Sequence, residues 1–494
     1  MSGAGIWMVA AVGALLLATG LPAWMVLIGV ALVFSIGGIA LGAVSLSLLT
    51  AIPARLIGLL ESDLLQALPL YVLMGALLNH LPLAQTLYRV GGRAFARTGA
   101  GAPLAGLALS VLLAPMNGSV GASVATLARV VQPRLDAEGV PAERGAAMVC
   151  VASTLGVVVP PSLVLILLGD AMMRAHTEAL NITHASMRII NTQDIFVGAL
   201  APAGVLLALI AAITWWLARR GARATATRPA PSPGWRDRIV AVVTALLIVA
   251  LLGAVTLGYL YAVEAAAVGG VALFVFGLAS RTLTLAVLGE VLRDTMAITG
   301  ALFALLVAAT VFTLALRTFG TDRWIAAVLA DLGWSEYPTL LLILLVLGLC
   351  ALVLDAFEMI FVVVPVVMPP LLVLVHNVTW VAVLTLLVLE ASFLIPPFGY
   401  AVLMVRNSIR QPLSMKRLSR ALLPYLVAQL CVLALVLAEP GLVWQRNPIE
   451  LSPGGAAKSE EEGREMLERQ LDEQLEQTHP EDEGATPSGA TPGQ

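Results

Sequence analysis

Long apolar segments separated by short polar breaks make up most of the chain. Clear examples run over 7–35, 195–217, 239–260, 339–354 and 422–437. About 20 apolar residues are enough for a helix to cross roughly 30 Å of hydrocarbon. Because the segments do not alternate polar and apolar residues, they do not match the strands of a membrane β-barrel. The pattern predicts an all-α protein that crosses a membrane many times.

Three basic segments predict how the chain is oriented. The segment 219–238 contains six arginines around a Pro-rich centre, and 406–420 contains five basic residues. Arg89, Arg93 and Arg97 form the third segment. Short basic loops remain in the cytoplasm. With these segments inside, the amino terminus and the carboxyl-terminal tail are predicted to be periplasmic.

The same breaks divide the chain into four parts. We expect a first transmembrane repeat over 1–218, a cytoplasmic basic loop over 219–238 and a second repeat over 239–437. The remaining residues, 438–494, are rich in acidic side chains and lack long apolar runs. Such composition predicts a solvated, largely disordered tail.

The two halves share features at a constant spacing of 236 residues. This offset places Pro160-Pro161 on Pro396-Pro397, Pro133 on Pro369 and Ser119 on Asp355. The loop charges give equivalent segments opposite directions across the membrane. The sequence therefore predicts two inverted-topology repeats, an architecture in which secondary transporters bind substrate and coupling ions near the bilayer midplane.

Each Pro-Pro pair interrupts an apolar segment, in STLGVVVPPS and in EASFLIPPFG. Proline removes a backbone donor and breaks a helix. Non-helical backbone is tolerated at membrane depth only inside protein or beside a wet cavity. Both stretches are therefore predicted to be broken helices that face the interior, with Gly156 and Gly399 easing the turns. Their free carbonyls can ligate a hard cation, and the next helix N-terminus can face an anion.

Two polar clusters each divide an apolar stretch into pieces that are short for a crossing. The cluster 116–123 is MNGSVGAS, and the cluster 355–358 is DAFE. Two short helices joined by a polar tip predict a re-entrant hairpin. Asp355 is an intramembrane carboxylate and is treated as functional by default. For Glu358 and Glu390, a site role and a buried hydrogen-bonded acid both remain open.

Composition adds several exclusions. The chain is 59% hydrophobic and only 12% charged, which excludes an ordinary soluble domain. There is no basic stripe for nucleic acid. Its three cysteines stand singly and its five histidines do not cluster, so no transition-metal site is predicted. No nucleotide-binding loop or hydrolase motif is present, and an enzyme or a resident cofactor is not expected.

Several motifs in a fixed order resemble those of one transporter family. They are LPLYVLMGALL (68–78), GAPLAGLALSVLLAPMNGSVGAS (101–123), ASTLGVVVPPSL (152–163), IFVGALAPAGVL (195–206), VEAAAVGG (263–270), LDAFEMIFVVVPVVMP (354–369) and LIPPFGYAVLMVRN (394–407). Over about residues 5–437, the chain resembles the large membrane subunit of tripartite ATP-independent periplasmic (TRAP) transporters.

This resemblance implies an elevator-type symporter in the bacterial inner membrane, driven by Na⁺. It implies organic acids as substrates, such as dicarboxylates, keto acids and sialic acids. It also implies two partner proteins, a small four-helix membrane subunit and a periplasmic solute-binding protein. The loop 173–194 and the acidic tail are candidate contacts for the periplasmic partner.

The resemblance also assigns residues by position. One Na⁺ site is expected between the first tip and the first break, from Asn117, Gly118, Ser119, Ser153, Thr154 and Gly156. A second is expected from Asp355, Ser392, Pro396 and Gly399. Substrate is expected between the tips, near Ser119, Ser123, Pro160, Pro161, Glu390 and Pro397.

Two departures from the family pattern affect these assignments. Val120 follows Ser119 where the family often has another serine, and Ile395 stands where a threonine often precedes the second Pro-Pro. Three other functions remain as alternatives: a passive channel, the membrane component of another import system such as an ATP-driven permease, and an intramembrane enzyme using Asp355 and Glu390.

Overall fold

In the computed structural model, helices account for most of the chain that the structure describes. The structure describes residues 3–42, 44, 47–61, 63–113, 119–183, 190–221, 233–409 and 412–443. The helices are α1 (Gly3–Thr19), α2 (Ala23–Ala40), α3 (Ser47–Leu60), α4 (Asp63–His80), α5 (Leu83–Ala94), α6 (Gly101–Leu113), α7 (Val120–Val130), α8 (Gln132–Ala137), α9 (Ala142–Val158), α10 (Leu163–Thr183), α11 (Thr192–Gly221), α12 (Trp235–Leu257), α13 (Ala262–Ala279), α14 (Leu285–Thr318), α15 (Thr321–Asp331), α16 (Glu336–Cys350), α17 (Ala356–Glu358), α18 (Val364–Leu374), α19 (Val378–Phe393), α20 (Tyr400–Ser408) and α21 (Met415–Ala438). A π-helical turn, Met359–Val363, joins α17 to α18.

The predicted multi-pass architecture is confirmed. Within the described ranges, seven helices are long and apolar enough to cross a membrane, or up to nine if two bent pairs each count as one span. One bent pair is α9 with α10, whose axes differ by 42° at the first Pro-Pro. Helices predominate because backbone groups within a bilayer must satisfy their hydrogen bonds internally.

Helices in the two halves begin at positions related by the predicted offset of 236. Helix α7 begins at Val120 and α17 at Ala356, while α9 begins at Ala142 and α19 at Val378. The starts of α6 and α16, and of α10 and α20, obey the same relation within one residue. The correspondence first read from prolines therefore extends to the helix boundaries.

The packing between the halves is reciprocal. Helix α4 packs on α13 and its counterpart α14 on α2, while α10 packs on α18 and α20 on α7. Likewise, α9 contacts α21 and α19 contacts α11. Reciprocal contacts of this kind are those of two units related by a pseudo-twofold axis. The opposite orientation of the units in a membrane, and the exact repeat boundaries, stay predictions.

The halves meet along α9 and α19 at the centre of the core. Every residue of α19 is buried, as are most residues of α9. Thr154 of α9 and Glu390 of α19 are themselves 236 positions apart, and their side-chain oxygens are 3.5 Å apart. The two equivalent positions thus lie next to each other where the halves meet.

The three basic segments lie at one face of the molecule. Arg89 of α5 is 3.6 Å from Asp237 at the start of α12, which joins two of the segments. Arg417 of the segment 406–420 is 3.0 Å from Glu143 and lines one cavity together with Ala218, which directly precedes the segment 219–238. The residues 222–232 inside the longest basic segment lie outside the described part. Their common face is as predicted, and its assignment to the cytoplasm stays a prediction.

The loop predicted over 173–194 is wrong in its first half, because α10 continues to Thr183. Met172, Ala175, His176 and Ala179 recur at helical spacing and are buried, which holds this extension against its neighbours. Residues 184–189 and the tail from 444 onward lie outside the described residues, and the predictions for the tail are untested.

Candidate functional site

The first hairpin tip ends at Ser119, which begins α7. Ser119 is extended, and its hydroxyl accepts a hydrogen bond from the Ala122 amide at 3.1 Å, so it is the N-cap of this helix. Serine favours this position because its oxygen satisfies an amide that has no partner within the helix. Asn117 and Gly118, which were assigned to the same site, lie outside the described residues.

A small cavity separates the first tip from the end of α9. Its volume is about 10 Å³, which is enough for a single water molecule or a small ion. Four residues assigned from sequence line it together: Ser119, Ser123, Ser153 and Gly156. The Ser153 hydroxyl donates to the Cys150 carbonyl at 2.7 Å, which leaves its oxygen lone pairs as acceptors. Three serines from two helices thus line one cavity.

Thr154 was assigned to the same cation site, but the structure places it away from the small cavity. Its hydroxyl donates to the Val151 carbonyl at 3.0 Å and faces Glu390, and it does not line the small cavity. Glu390 is fully buried, and its second carboxyl oxygen has no hydrogen-bond partner among the residues that the structure describes. Helical geometry explains the difference, because adjacent residues on α9 point about 100° apart. Thr154 and Glu390 therefore belong to the interface between the halves.

The second hairpin tip contains a reciprocal cap. Asp355 accepts from the Glu358 amide at 2.9 Å, and Glu358 accepts from the Asp355 amide at 3.1 Å. This capping box begins α17, just as Ser119 begins α7 at the equivalent position of the first half. The capping box uses one oxygen of each carboxyl group and holds the two acidic side chains close together at the second tip. Glu358 is therefore a hydrogen-bonded acid within the tip itself.

The two Pro-Pro breaks have the same place in the fold but different surroundings. Pro160 and Pro161 are buried, and Ser162 caps α10 by accepting from the Leu165 amide at 3.0 Å. At the second break, Pro397 and its neighbour Phe398 are exposed. Both Pro–Pro peptide bonds are cis. The expectation of an interior-facing break holds at the first site, whereas the second opens to the surface of this chain.

The second break places the remaining assigned residues around a tight turn. Ser392 is buried in the last turn of α19, and Pro396 is partly buried. The Gly399 amide donates to the Ile395 carbonyl at 2.8 Å. A methyl group on Gly399 would lie 2.4 Å from the Phe393 carbonyl oxygen, so only glycine fits. No side chain caps the N-terminus of α20 that follows.

Tyr400 lies beside the first tip and within the electrostatic influence of the second, and sequence reasoning did not identify it. A methyl group on Gly121 of α7 would lie 3.5 Å from the Tyr400 hydroxyl oxygen. Tyr400 also interacts electrostatically with Asp355 and Glu358. It therefore places a phenolic hydroxyl in the region predicted for substrate. The only sequence signal was its position directly after Gly399 and the Pro-Pro pair.

A much larger cavity of about 860 Å³ lies between α3, α10, α14 and α18. Two ion pairs line it, Arg174 with Asp170 at 2.9 Å and Arg317 with Glu178. The sequence did not predict this cavity, since its walls come from helices far apart in the chain. Within the described ranges, no group of three or more His, Cys, Asp or Glu side chains is placed to hold a metal ion.

Comparison with known proteins gives a consistent result. The large permease protein DctM of the C4-dicarboxylate TRAP transporter of Rhodobacter capsulatus is 23% identical over 413 residues, covering 83% of this chain and 90% of the relative. The protein of the same name from Pseudomonas aeruginosa is 26% identical over 391 residues, covering 77% and 86%.

A solved structure and a family profile complete the comparison. The crystal structure of the YdaH transporter of Alcanivorax borkumensis resembles this fold with a TM-score of 0.60 and 21% identity, covering 81% of this chain and 90% of that one. The profile described as "Tripartite ATP-independent periplasmic transporter, DctM component" matches residues 10–442. The chain therefore belongs to the family of DctM components, the large membrane subunits of tripartite ATP-independent periplasmic transporters.

Proposed function

We propose that this protein imports an organic acid by secondary active transport coupled to Na⁺. The observation that carries the proposal is the small cavity at the first tip, which three serines, Ser119, Ser123 and Ser153, line together. Hard cations take oxygen ligands, and broken helices of inverted-repeat transporters supply them near the bilayer midplane. The names of the relatives, C4-dicarboxylate permeases, support a carboxylate substrate.

The second cation site is proposed at Asp355, with Ser392 and the turn before Gly399. The capping box holds Asp355 and Glu358 together at this tip. Two neighbouring carboxylates in a low-dielectric site repel each other and attract a monovalent cation. A cation bound here offsets that charge.

The substrate carboxylate is proposed to bind between the tips, beside Tyr400. The Tyr400 hydroxyl is a donor, and the uncapped N-terminus of α20 adds backbone amides and a favourable dipole. Without a bound cation, Asp355 and Glu358 would repel an approaching anion. Na⁺ therefore binds first, and this order couples the ion gradient to import.

The wider system follows from the family. We propose that a periplasmic solute-binding protein delivers the substrate and that a small four-helix membrane subunit completes the permease in the bacterial inner membrane. The hairpins and broken helices are proposed to move as a unit against the remaining helices, in an elevator motion. The large cavity between α3, α14 and the α10–α18 pair lies along the boundary where such movement would occur.

The first test is thermal unfolding of the purified full chain in NaCl, KCl and choline chloride at equal ionic strength. A ligand that binds only the folded state raises its stability by mass action. We expect a rise specific to Na⁺ that Ser153→Ala reduces, while the second site keeps its own contribution. Ser110→Ala is the matched control, because Ser110 is also a buried serine whose hydroxyl donates to a backbone carbonyl, that of Ala152, but it does not line the cavity.

The control separates a lost ligand from general destabilisation. Ser110→Ala should lower the unfolding temperature in every salt and keep the Na⁺-specific rise. Equal Na⁺ responses in both variants would remove the cavity from the cation site. A second test measures Na⁺-dependent uptake of a C4-dicarboxylate into proteoliposomes containing both partner proteins. Tyr400→Phe should raise KM about ten- to hundredfold by removing one hydrogen bond to a charged group.

A further inference from the structure

A second large cavity, of about 520 Å³, lies at the face that carries the basic segments. Its walls come from the loop before α6, the loop between α8 and α9, the end of α11 and the start of α21. Leu217 and Ala218 of α11 line it. The transport site described above does not include any of these residues.

The end of α11 indicates the depth of this cavity in a membrane. The Arg219 guanidinium stacks on Trp215 with its carbon 4.5 Å from the ring centre, and Arg220 stacks on Trp216 at 3.6 Å. Tryptophan with arginine is typical of the membrane–water interface. Leu217 lies between these pairs in the sequence, so the cavity opens at the level of the lipid headgroups.

The charges around the cavity favour an anion. Three arginines line it, Arg144, Arg417 and Arg420, against Glu138 and Glu143. Glu143 is buried and is already paired with Arg417 at 3.0 Å. The N-termini of α9 and α21 also begin here, and neither has a side-chain cap. The positive ends of these two helix dipoles add to the positive charge of Arg144 and Arg420, the two arginines that are not paired with Glu143.

An apolar track leads from the basic end of the cavity along the outside of α21. Leu423, Val427, Leu430 and Leu435 follow Arg420 on this helix and are all exposed by 46% or more. Large apolar side chains exposed on a membrane helix face acyl chains. A soluble anion has no use for such a track, whereas a lipid with an anionic headgroup matches both the basic cavity and the strip beside it.

We propose that this cavity binds the headgroup of an anionic phospholipid, with its acyl chains along α21. Basic pockets between transmembrane helices on the cytoplasmic side are suited to such headgroups. The lipid would join α9, α11 and α21, which belong to different halves of the chain. Its binding therefore depends on the assembled fold and is separate from binding of Na⁺ or substrate.

The test uses the full chain in detergent, titrated with phosphatidylglycerol, cardiolipin or phosphatidylcholine. Native mass spectrometry counts bound lipid, and thermal unfolding measures stabilisation. We expect saturable binding of the anionic lipids and none of phosphatidylcholine. Arg144→Ala and Arg420→Ala should each weaken binding about fivefold, which is the effect of one basic residue near an anionic surface. Arg420→Lys should retain binding because it keeps the charge.

Arg236→Ala is the matched control, since Arg236 is an exposed arginine in a basic segment on the same face but does not line the cavity. It should bind anionic lipid as the parent does. Equal loss in this control would show general surface attraction and overturn the proposal. Equal stabilisation by inorganic phosphate or glycerol phosphate would identify a soluble anion as the ligand and would also overturn it. Binding of phosphatidylcholine with the same affinity would do so as well.

Discussion

Asp355 has an observed role as a helix cap and a proposed role as a cation ligand, and two substitutions distinguish them. Its carboxylate caps α17 by accepting from the Glu358 amide at 2.9 Å, and the same group is proposed to bind Na⁺. Asparagine caps helices about as well as aspartate, while alanine costs about 1 kcal/mol. In choline chloride, we therefore expect Asp355→Asn to unfold close to the parent and Asp355→Ala to lose about 1 kcal/mol.

The Na⁺ response should differ from the capping effect. At about 4 Å and an effective dielectric constant near 20, a carboxylate attracts a monovalent cation by about 4 kcal/mol before desolvation is counted. If the net attraction after desolvation is only about 1.4 kcal/mol, its loss in Asp355→Asn weakens the Kd for Na⁺ tenfold. At a Na⁺ concentration about 100 times the parent's Kd, stabilisation would then fall from about 2.7 to about 1.4 kcal/mol.

Thermal or urea unfolding in NaCl and in choline chloride measures both effects on the same samples. If Asp355→Asn keeps the full Na⁺ stabilisation, Asp355 is not a cation ligand. If the Asn and Ala variants unfold alike in choline chloride, the capping argument is wrong. Uptake assays in proteoliposomes check the same variant for a higher half-saturating Na⁺ concentration.

Three further predictions concern packing. Gly399→Ala should lower the free energy of unfolding by about 1–3 kcal/mol or more, since the new methyl group would collide with a backbone carbonyl. Gly348→Ala is the control for the same urea titration. Its methyl group would meet its neighbours at 3.4 Å or more, so this substitution should be tolerated. Glu390→Gln should keep most of the stability because it conserves volume, whereas Glu390→Ala should lose about 2–4 kcal/mol. Similar losses in both variants would show that the carboxyl group itself, and not its volume, is required. A double-mutant cycle of Glu178→Gln with Arg317→Gln should give a coupling free energy of about 1 kcal/mol or less, because both side chains are partly exposed. A coupling several times larger would contradict this expectation.

The proposed anion site lies near two acids, which is why ion and substrate are expected to bind together. Asp355 and Glu358 give the second tip a negative potential, and Tyr400 lies within its influence. An anionic substrate gains from the Tyr400 hydroxyl only after this potential is offset. The coupling in this proposal therefore arises from charge compensation at one location.

The sequence by itself determined the features that depend on local physics. Apolar length predicts the spans because a bilayer has a fixed thickness and leaves backbone groups no other partner. Helix starts at Ser119 and Asp355 follow from capping chemistry, and the breaks at the Pro-Pro pairs follow from the missing amide of proline. The spacing of 236 was visible because both halves repeat these local signals.

Only the tertiary structure decided which of these residues meet. It brings Ser119, Ser123, Ser153 and Gly156 to one cavity and turns Thr154 away toward Glu390. It also brings Tyr400 to Gly121 across 279 positions of sequence and assembles the cavity lined by Arg144 and Arg420 from four separate segments. Such contacts depend on how helices pack around a pseudo-twofold axis, and neither residue type nor periodicity along one helix contains that information.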